Sequence, residues 1–177
     1  RTGAEVADDV SSVAASVGAV NTLLLEPGGR ITGDNTDVPG MVAALRERGA
    51  IPQMGAVCMW GAGATAASAI AAVARLEGRA VHVHARDIAR ATGSVELGER
   101  LGVDVSLRPW LPWPECSVAE LVVQTAPAGA ADSVALHESY PPKRDSLCPP
   151  TIRSAVMPPL LSPDVDEFMG RRIACQG

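Results

Sequence analysis

Residues 33–40, Gly-Asp-Asn-Thr-Asp-Val-Pro-Gly, bring two carboxylates, an amide and a hydroxyl together at the start of the apolar run 38–49. Two kinds of chemistry fit this pattern. Asn, Thr and Asp are good N-caps, because their side-chain oxygens accept hydrogen bonds from the first free N–H groups of a helix. The same groups, facing a cleft, are of the types that bind a polar substrate and move a proton. The segment by itself is compatible with both interpretations.

A second candidate for chemistry is the glycine-rich segment 61–66, which fits the pattern G-x-G-x-x-G/A. In this pattern the first Gly permits a tight turn, the second lets the backbone approach a pyrophosphate, and the small third residue allows close helix–strand packing. An apolar run precedes the segment and an Ala-rich run follows it, which is the strand–loop–helix context that the motif requires. The alternative is a small-residue turn without a ligand. The residues predicted to bind a dinucleotide here are Gly61, Ala62, Gly63, Ala64, Thr65 and Ala66.

The end of the next predicted strand bears on the choice of dinucleotide. An acidic residue there holds the ribose 2′-OH of NAD, whereas an arginine suits the 2′-phosphate of NADP. The chain has Arg86 followed directly by Asp87. Arg86 favours NADP, and Asp87 leaves NAD as the alternative. Both residues would also fit a solvated helix start in which Asp87 is the N-cap.

The elements that must position these residues follow two patterns. Valines at positions 6, 10, 13 and 17 predict one helix that ends at Gly18, and the runs on either side of turn 27–29 predict a β-hairpin. Farther on, apolar strands alternate with helices, which predicts an α/β fold with a doubly wound, Rossmann-type parallel sheet. Strands are predicted at 54–60, 80–85, 103–107 and 120–126. Residues 136–177 hold seven of the fourteen prolines and carry no predicted helix or strand, so we leave them as an unassigned proline-rich tail.

Composition excludes several classes of protein. The chain has 177 residues and a net charge of −5 without a basic patch, so no nucleic-acid partner is expected. No signal peptide is visible, and no apolar run approaches the roughly 20 residues of a membrane span, so no membrane partner is expected. His82 and His84 alternate along one strand and are predicted to be packing residues. The cysteines form no CxxC pair and have no His at ligand spacing, so we predict reduced thiols, no metal and a cytoplasmic protein; they are Cys58, Cys116, Cys148 and Cys175.

The order of the motifs resembles the shikimate dehydrogenase family. Residues 18–22, Gly-Ala-Val-Asn-Thr, are similar to that family's G-A-x-N-T motif, and residues 33–40 to its G-x-N-T-D-x-x-G motif, with a hairpin between them and the glycine loop after them. The resemblance implies that Asp37 is catalytic and also binds substrate, and that Asn21 binds substrate. It places the segment Thr125, Ala126 and Pro127 beside the nicotinamide. With Asp37 in a cleft, Thr36 or Asp34 would be left to cap the helix.

The resemblance also implies domains and an activity. Residues 1–37 would be the C-terminal part of a substrate-binding domain, and residues 38–135 an NADP-binding domain. The family reduces 3-dehydroshikimate to shikimate with NADPH, in the route through chorismate to aromatic amino acids, so the expected partner is this small-molecule substrate. A quinate/shikimate dehydrogenase that uses NAD and a catalytically inactive dinucleotide-binding fragment are the alternatives.

Some of the family's working parts are expected outside this sequence. By the spacing of the motifs, the resemblance places the lysine that pairs with Asp37 and the serines that hold the substrate carboxylate before residue 1, which is why a catalytically inactive fragment is one of the alternatives. Proline-rich sequence in place of the later strands would leave an unpaired sheet edge and exposed apolar surface. We therefore expect low stability and association, for instance as a homodimer.

Overall fold

The computed structural model describes residues 3–47, 49, 55–111, 116, 119–127, 130 and 155–156. The described residues form a three-stranded sheet in the order β1-β3-β2 and a five-stranded sheet in the order β6-β5-β4-β7-β8. The helices are α1 Gly3–Val6, α2 Ser12–Val17, α3 Asp37–Glu47, α4 Ala64–Arg75 and α5 Thr92–Leu101, the last preceded by the 3-10 turn Ala89–Ala91. The strands are β1 Asp9–Val10, β2 Thr22–Leu25, β3 Ile31–Asp34, β4 Ala56–Trp60, β5 Ala80–Ala85, β6 Asp104–Pro109, β7 Leu121–Gln124 and β8 Ala155–Val156.

The larger sheet is parallel throughout and confirms the predicted fold class. β4 pairs with β5 on one side and with β7 on the other, so the strand order reverses at β4. In open α/β sheets a ligand binds outside the carboxyl ends of the strands at such a reversal. The glycine-rich segment follows β4 directly, which puts it at this point of the sheet.

Small aliphatic side chains build the core of this sheet, as its scarce aromatic residues require. The strands β4, β5 and β7 bury most of their valines, their leucine and their methionine, and α4 packs its alanines and Ile70 against them. The alanines allow a close approach of α4, and α3 and α5 pack along its two sides. The helix that begins at the glycine loop is therefore fixed by contacts on several sides.

The single helix predicted from the valines at positions 6–17 is wrong. The structure divides this stretch into α1, β1 and α2. Ser11 interrupts it, because its Oγ accepts the N–H of Ala14 at 3.1 Å and caps a new helix, while its own N–H donates to Gly33 O at 2.9 Å. The carboxylate of Asp8 accepts the N–H of Ile31 at 2.8 Å, which fixes β1 alongside β3. Gly18 does end α2, in the left-handed conformation that favours glycine.

A short strand lies in the proline-rich tail, where we predicted no regular element. Ala155 and Val156 form β8 and pair in parallel with Val123 and Gln124 of β7. An exposed strand edge presents a row of unpaired backbone groups, which any extended segment can satisfy. Two residues are too few to give a sequence pattern. The domain limits 1–37, 38–135 and 136–177 stay a prediction.

The hairpin exposes apolar side chains. Leu23, Leu24 and Leu25 of β2 are 47%, 49% and 77% exposed. This agrees with the expected exposed apolar surface, and the expected association and low stability stay predictions. In the described part of the chain, every helix is too short or too polar to cross a bilayer.

The contact between α5 and β6 depends on Gly98 and yields a stability test. A Cβ at Gly98 would lie 2.4 Å from Val105 Cγ2 and 2.6 Å from Val103 O, whereas one at Gly93 of the same helix would meet nothing within 4 Å. We expect Gly98→Ala to lower the free energy of unfolding by about 1–3 kcal/mol through overpacking. Gly93→Ala should leave it unchanged or raise it slightly, because Ala favours helix. Urea unfolding of both variants is the measurement, and equal losses would contradict the packing described here.

Candidate functional site

A cleft of about 330 Å³ opens at the carboxyl ends of β4, β5, β6 and β7. Most of the residues predicted to contact a dinucleotide lie on its wall. Ala64, Thr65 and Ala66 lie instead in the first turn of α4, and Ala66 is completely buried in the core. The residues that line the cleft are Gly61, Ala62, Gly63, Ala85, Arg86, Asp87, Arg90, Ala91, Trp110, Thr125, Ala126 and Pro127.

The two glycines of the loop serve different purposes. Gly61 has a φ of +114°, and a Cβ there would lie 2.5 Å from Thr125 Oγ1 and 3.0 Å from Ala126 N, so the fold itself requires glycine. Gly63 precedes α4 in extended conformation, and a Cβ there would meet nothing within 4 Å. The fold therefore tolerates a side chain at Gly63, and the space in front of it is open cleft. Free N–H groups of the first turn of α4 border this space, which is the arrangement that binds phosphate.

The charges at the end of β5 are two arginines and one aspartate. Asp87 Oδ1 accepts the backbone N–H of Arg90 at 3.2 Å, and its Oδ2 lies 3.4 Å from Arg90 Nε. Asp87 thus caps the following turn, as one of the two interpretations had it. The Arg86 guanidinium lies 5.9 Å from the ring centre of Trp110. The cleft wall therefore carries an excess positive charge beside an aromatic ring, which suits an anionic ligand with a flat ring.

Arg90 and Trp110 also line the cleft, and neither was predicted from the sequence. Arg90 lies four residues after Arg86, a spacing of one helical turn that could have identified it. Trp110 directly follows β6, and its ring meets Trp60 edge-on at 5.3 Å. Its position at the carboxyl end of a parallel strand was the available signal, but aromatic residues there are more often part of the core.

The two motifs on either side of the hairpin are joined by the Asn21 side chain. Its Oδ1 accepts hydrogen bonds from Thr36 N at 3.0 Å and Thr22 Oγ1 at 2.9 Å. The hydroxyls of Thr22 and Thr36 lie 2.9 Å apart. Within the described residues, Asn21 Nδ2 has no hydrogen-bond partner, so this donor is available to a ligand. The predicted juxtaposition of segments 18–22 and 33–37 is therefore present.

Asn35 fastens this arrangement to the large sheet. Its side chain is 1% exposed, and Nδ2 donates to Ala19 O at 3.0 Å and to Ser68 Oγ at 3.1 Å. Its Oδ1 accepts the N–H of Val38 at 3.2 Å, so Asn35 caps α3. Our expectation that Thr36 or Asp34 caps this helix is wrong, because the Asn35 amide is the side chain that reaches both α3 and α4.

Asp34 belongs to the support of the hairpin. Its Oδ1 accepts hydrogen bonds from Ser11 Oγ at 2.5 Å and from Asn35 N at 2.8 Å. The Ser11 hydroxyl, and after it the Asn35 N–H, lower the pKa of the Asp34 carboxyl below its usual value. Asp34 is therefore an ionised acceptor at neutral pH.

Asp37 is placed differently from the other polar residues of its motif. It is the first residue of α3 and is partly buried, and its carboxylate has no hydrogen bond or ion pair with any described residue. Because Asn35 already caps α3, the Asp37 carboxylate is not needed for helix capping. It is available, like Asn21 Nδ2, to contact a ligand.

The cysteine prediction is wrong for two of the four residues. The fold joins Cys58 of β4 to Cys116 by a disulfide bond, and His84 Nε2 lies 3.2 Å from Cys116 Sγ. Residues 58 and 116 have no recognisable spacing, so only the tertiary structure could bring them together. Cys148 and Cys175 lie outside the described residues.

Comparisons with known proteins agree with the motifs. No protein-family model matches the chain. The shikimate dehydrogenase (NADP(+)) of Cereibacter sphaeroides is 36% identical over 108 residues, which are 60% of this chain and 38% of that protein. The shikimate dehydrogenase (NADP(+)) of a Jannaschia species is 33% identical over 152 residues, which are 83% of this chain and 51% of that protein. The chain thus spans about half, or less, of the length of these two relatives.

Solved structures of a shikimate dehydrogenase and a quinate dehydrogenase superpose on the chain. Mycobacterium tuberculosis shikimate dehydrogenase superposes with a TM-score of 0.61 and 32% identity, over 73% of this chain and 48% of that one. Quinate dehydrogenase from Corynebacterium glutamicum, in complex with NAD, superposes with a TM-score of 0.60 and 28% identity, over 71% of this chain and 46% of that one.

The Asp34 hydrogen bonds generate a pH-dependence test. A carboxyl whose pKa is lowered in the folded state contributes stability above its unfolded pKa of about 3.9, and this contribution is lost as the pH falls through the folded value. We expect the stability of the wild type to fall more steeply below about pH 4 than that of Asp34→Asn, which cannot titrate. Thermal unfolding across this range is the measurement. Parallel pH profiles for the two proteins would contradict the assignment.

Proposed function

Because the chain belongs to the shikimate dehydrogenase family, we propose that it contributes the cofactor site and part of the substrate site of an NADP-dependent shikimate dehydrogenase. The reaction is the reduction of 3-dehydroshikimate to shikimate by NADPH, a step toward chorismate and the aromatic amino acids, in the cytoplasm. The proposal assigns residues 38–135 to cofactor binding and residues 1–37 to the substrate domain. Residues 136–177 receive no role.

The single observation that carries the proposal is the cleft at Gly63. The backbone there is open to a ligand, the first turn of α4 offers free N–H groups, and Thr125 to Pro127 also line the cleft. A pyrophosphate fits between the loop and α4, and a nicotinamide fits toward residues 125–127. The bound cofactor would supply or accept the hydride.

NADP is favoured over NAD by the charges at the end of β5. The Asp87 carboxylate is engaged with the backbone and side chain of Arg90, so it is not free to hold a ribose 2′-OH. Arg86 and Arg90 both line the cleft and can pair with a 2′-phosphate, while Trp110 offers an aromatic surface to the adenine. The relatives from Cereibacter and Jannaschia are named for NADP(+).

The substrate hydroxyl that becomes a carbonyl would contact Asp37, and Asn21 Nδ2 would donate to another substrate oxygen. Both groups lack a partner among the described residues, and both stand on the junction held by Asn35. The Asp37 carboxylate would orient this hydroxyl and favour the departure of its proton as the hydride leaves. Asp37 is the first residue of α3, where the helix dipole favours a negative charge.

The alternative enzyme is a quinate/shikimate dehydrogenase that uses NAD. The similarity to Corynebacterium glutamicum quinate dehydrogenase in complex with NAD favours it. The alternative without catalysis is a dinucleotide-binding fragment. Cofactor preference and turnover separate the three possibilities.

Gly63→Val tests the cofactor site. The branched side chain would occupy the space proposed for the pyrophosphate, while the extended backbone at this position accepts any residue. We expect loss of NADP(H) binding in calorimetry with an unchanged melting temperature. Gly61→Ala is the contrasting variant and should lower the melting temperature, because its Cβ would collide with Thr125 and Ala126. Unchanged NADP(H) affinity in Gly63→Val would show that the loop is only a packing turn and does not bind the pyrophosphate.

Arg86→Ala tests the choice of cofactor. A charge-assisted contact to the 2′-phosphate predicts that NADP(H) affinity falls about tenfold to hundredfold while NAD(H) affinity changes little. Arg75→Ala, which alters an arginine outside the cleft at the end of α4, is the matched control. Equal losses for both cofactors would overturn the assignment of Arg86.

Turnover tests the reaction. Reduced nicotinamide formation is followed by absorbance with shikimate or quinate as substrate, and NADP or NAD as cofactor. The assay compares wild type and Asp37→Asn in a protein extended by the preceding family segment that carries the expected lysine and serines. We expect shikimate with NADP to be preferred and Asp37→Asn to reduce kcat about hundredfold, with the fold retained because Asn35 caps α3. A preference for quinate with NAD selects the alternative enzyme. Dinucleotide binding without any turnover selects the non-catalytic fragment.

A further inference from the structure

Cys58, His84 and Cys116 form a buried cluster, and His84 directly precedes Ala85 of the cleft wall. Cys58 and His84 are completely buried and Cys116 is 5% exposed. The sulfur atoms and a His84 ring nitrogen all lie within 4.8 Å of one another. The proposed reaction uses none of these residues, although Cys58 and His84 are on the two central strands whose ends form the cleft.

The hydrogen bonds of His84 determine which ring nitrogen faces the sulfur with a lone pair. Nδ1 lies 3.1 Å from Pro109 O, and a carbonyl oxygen only accepts, so this contact is a hydrogen bond in the tautomer that has its proton on Nδ1. The Leu111 backbone is a second hydrogen-bond partner of the ring. In the tautomer with the proton on Nδ1, Nε2 is the unprotonated nitrogen, 3.2 Å from Cys116 Sγ. Burial also lowers the pKa of His84, which keeps the ring neutral. Nε2 is therefore ready to accept a hydrogen bond from a Cys116 thiol, a contact that the disulfide form cannot make.

A continuous set of ring contacts leads from this cluster to the cleft wall. The His84 ring stacks on Trp60, with centres 4.1 Å apart and planes inclined by 20°. Trp60 in turn supports the edge of Trp110 at 5.3 Å, and Trp110 lies beneath the Arg86 guanidinium. A change in the position of His84 would be transmitted through two packed rings to the residues proposed to hold the adenosine end of the cofactor.

We propose that Cys58 and Cys116 form a reversible redox pair whose state sets the position of Trp110 and, through it, the affinity of the cleft for a dinucleotide. The disulfide fastens Cys116, six residues after Trp110, to β4. Reduction releases this tether and creates the Cys116–His84 hydrogen bond. The effect on dinucleotide affinity rests on the proposed function, whereas the redox pair and the movement of Trp110 do not.

The reductant is a dithiol. One of its thiolates attacks the Sγ of Cys116, the less buried of the two residues, so the Cys58–Cys116 bond breaks and Cys58 leaves as a thiolate that takes a proton from water. The mixed disulfide joins Cys116 to one sulfur atom of the reductant. The second thiolate of the reductant attacks that sulfur atom and displaces Cys116, which is protonated and donates to His84 Nε2. Two electrons and two protons pass to the protein, and the dithiol becomes a cyclic disulfide.

The test uses the whole chain after equilibration with oxidised and reduced dithiothreitol at graded ratios. Alkylation and mass spectrometry report the oxidised fraction of Cys58 and Cys116, and tryptophan fluorescence is read at each ratio. We expect both to follow one reversible two-electron curve. Titration with NADP should show affinity about fivefold weaker in the reduced protein, within the usual range of coupling between two sites.

Two variants are the controls. Cys58→Ser/Cys116→Ser should lose the response of both fluorescence and affinity to the reductant, whereas Cys148→Ser should keep the wild-type curve. If the double variant does not fold, reversal of the wild-type signal by reoxidation, with Cys148→Ser as reference, still decides the question.

Three results would overturn the proposal. One is resistance of the Cys58–Cys116 bond to the dithiol in the folded protein, which would make it a purely structural link. Another is reduction without a change in tryptophan fluorescence. The third is stoichiometric zinc retained by the reduced protein, which would assign the cluster to a metal. If fluorescence responds to reduction but NADP affinity does not change, the proposed effect on the cofactor is wrong and the redox pair stands. If the protein binds no NADP in either state, only the proposed function is contradicted.

Discussion

The buried amide of Asn35 is the interaction on which the arrangement of the candidate site depends. It bonds to the Ala19 carbonyl before the hairpin, to the N–H of Val38 at the start of α3, and to the Ser68 hydroxyl on α4. If Asn35 lost these partners, each buried polar group left without a hydrogen bond would lower the stability of the folded state. The positions of Asn21 and Asp37 relative to α4 are therefore fixed by one side chain that itself never faces the cleft.

The division of labour within the polar motif follows from this. Asp34 and Asn35 form hydrogen bonds that hold the hairpin and α3 in place, and Thr36 bonds to Asn21 and Thr22. Within this motif only the Asp37 carboxylate has no partner among the described residues. Capping and catalysis are thus not competing interpretations of residues 33–37, because different residues of the same motif do each. Such crowding gives a precise position to one reactive group, which a single residue on a loop would not have.

The cleft shows the same separation of structural and chemical constraints. Gly61 is required by its left-handed backbone and by its contact with Thr125, whereas Gly63 is required only if something occupies the space in front of it. Next to the cleft wall, a disulfide, a neutral histidine and two tryptophans form one packed unit. Packed interiors have few voids, so the proposed displacement of His84 on reduction would reach Trp110 through the ring contacts.

The sequence by itself determined the features that depend on patterns among neighbouring residues. Alternation of apolar strands and helices gave the parallel sheet, Gly61 and Gly63 gave the loop at its carboxyl edge, and the hairpin brought Asn21 beside Thr36. These follow from backbone preferences and burial over a few neighbouring residues, which a single chain displays directly.

Only the tertiary structure decided the features that join distant segments. The valine spacing at 6–17 was overridden because Ser11 and Asp8 bond to the hairpin, which no helical period reveals. Asn35 became the cap because Ser68, 33 positions away, offers it a buried partner. Cys58 and Cys116 are 58 residues apart in sequence, and only the folded chain brings their sulfur atoms together. Contacts of this kind arise from packing, and their residues carry no mark in the sequence before the chain has folded.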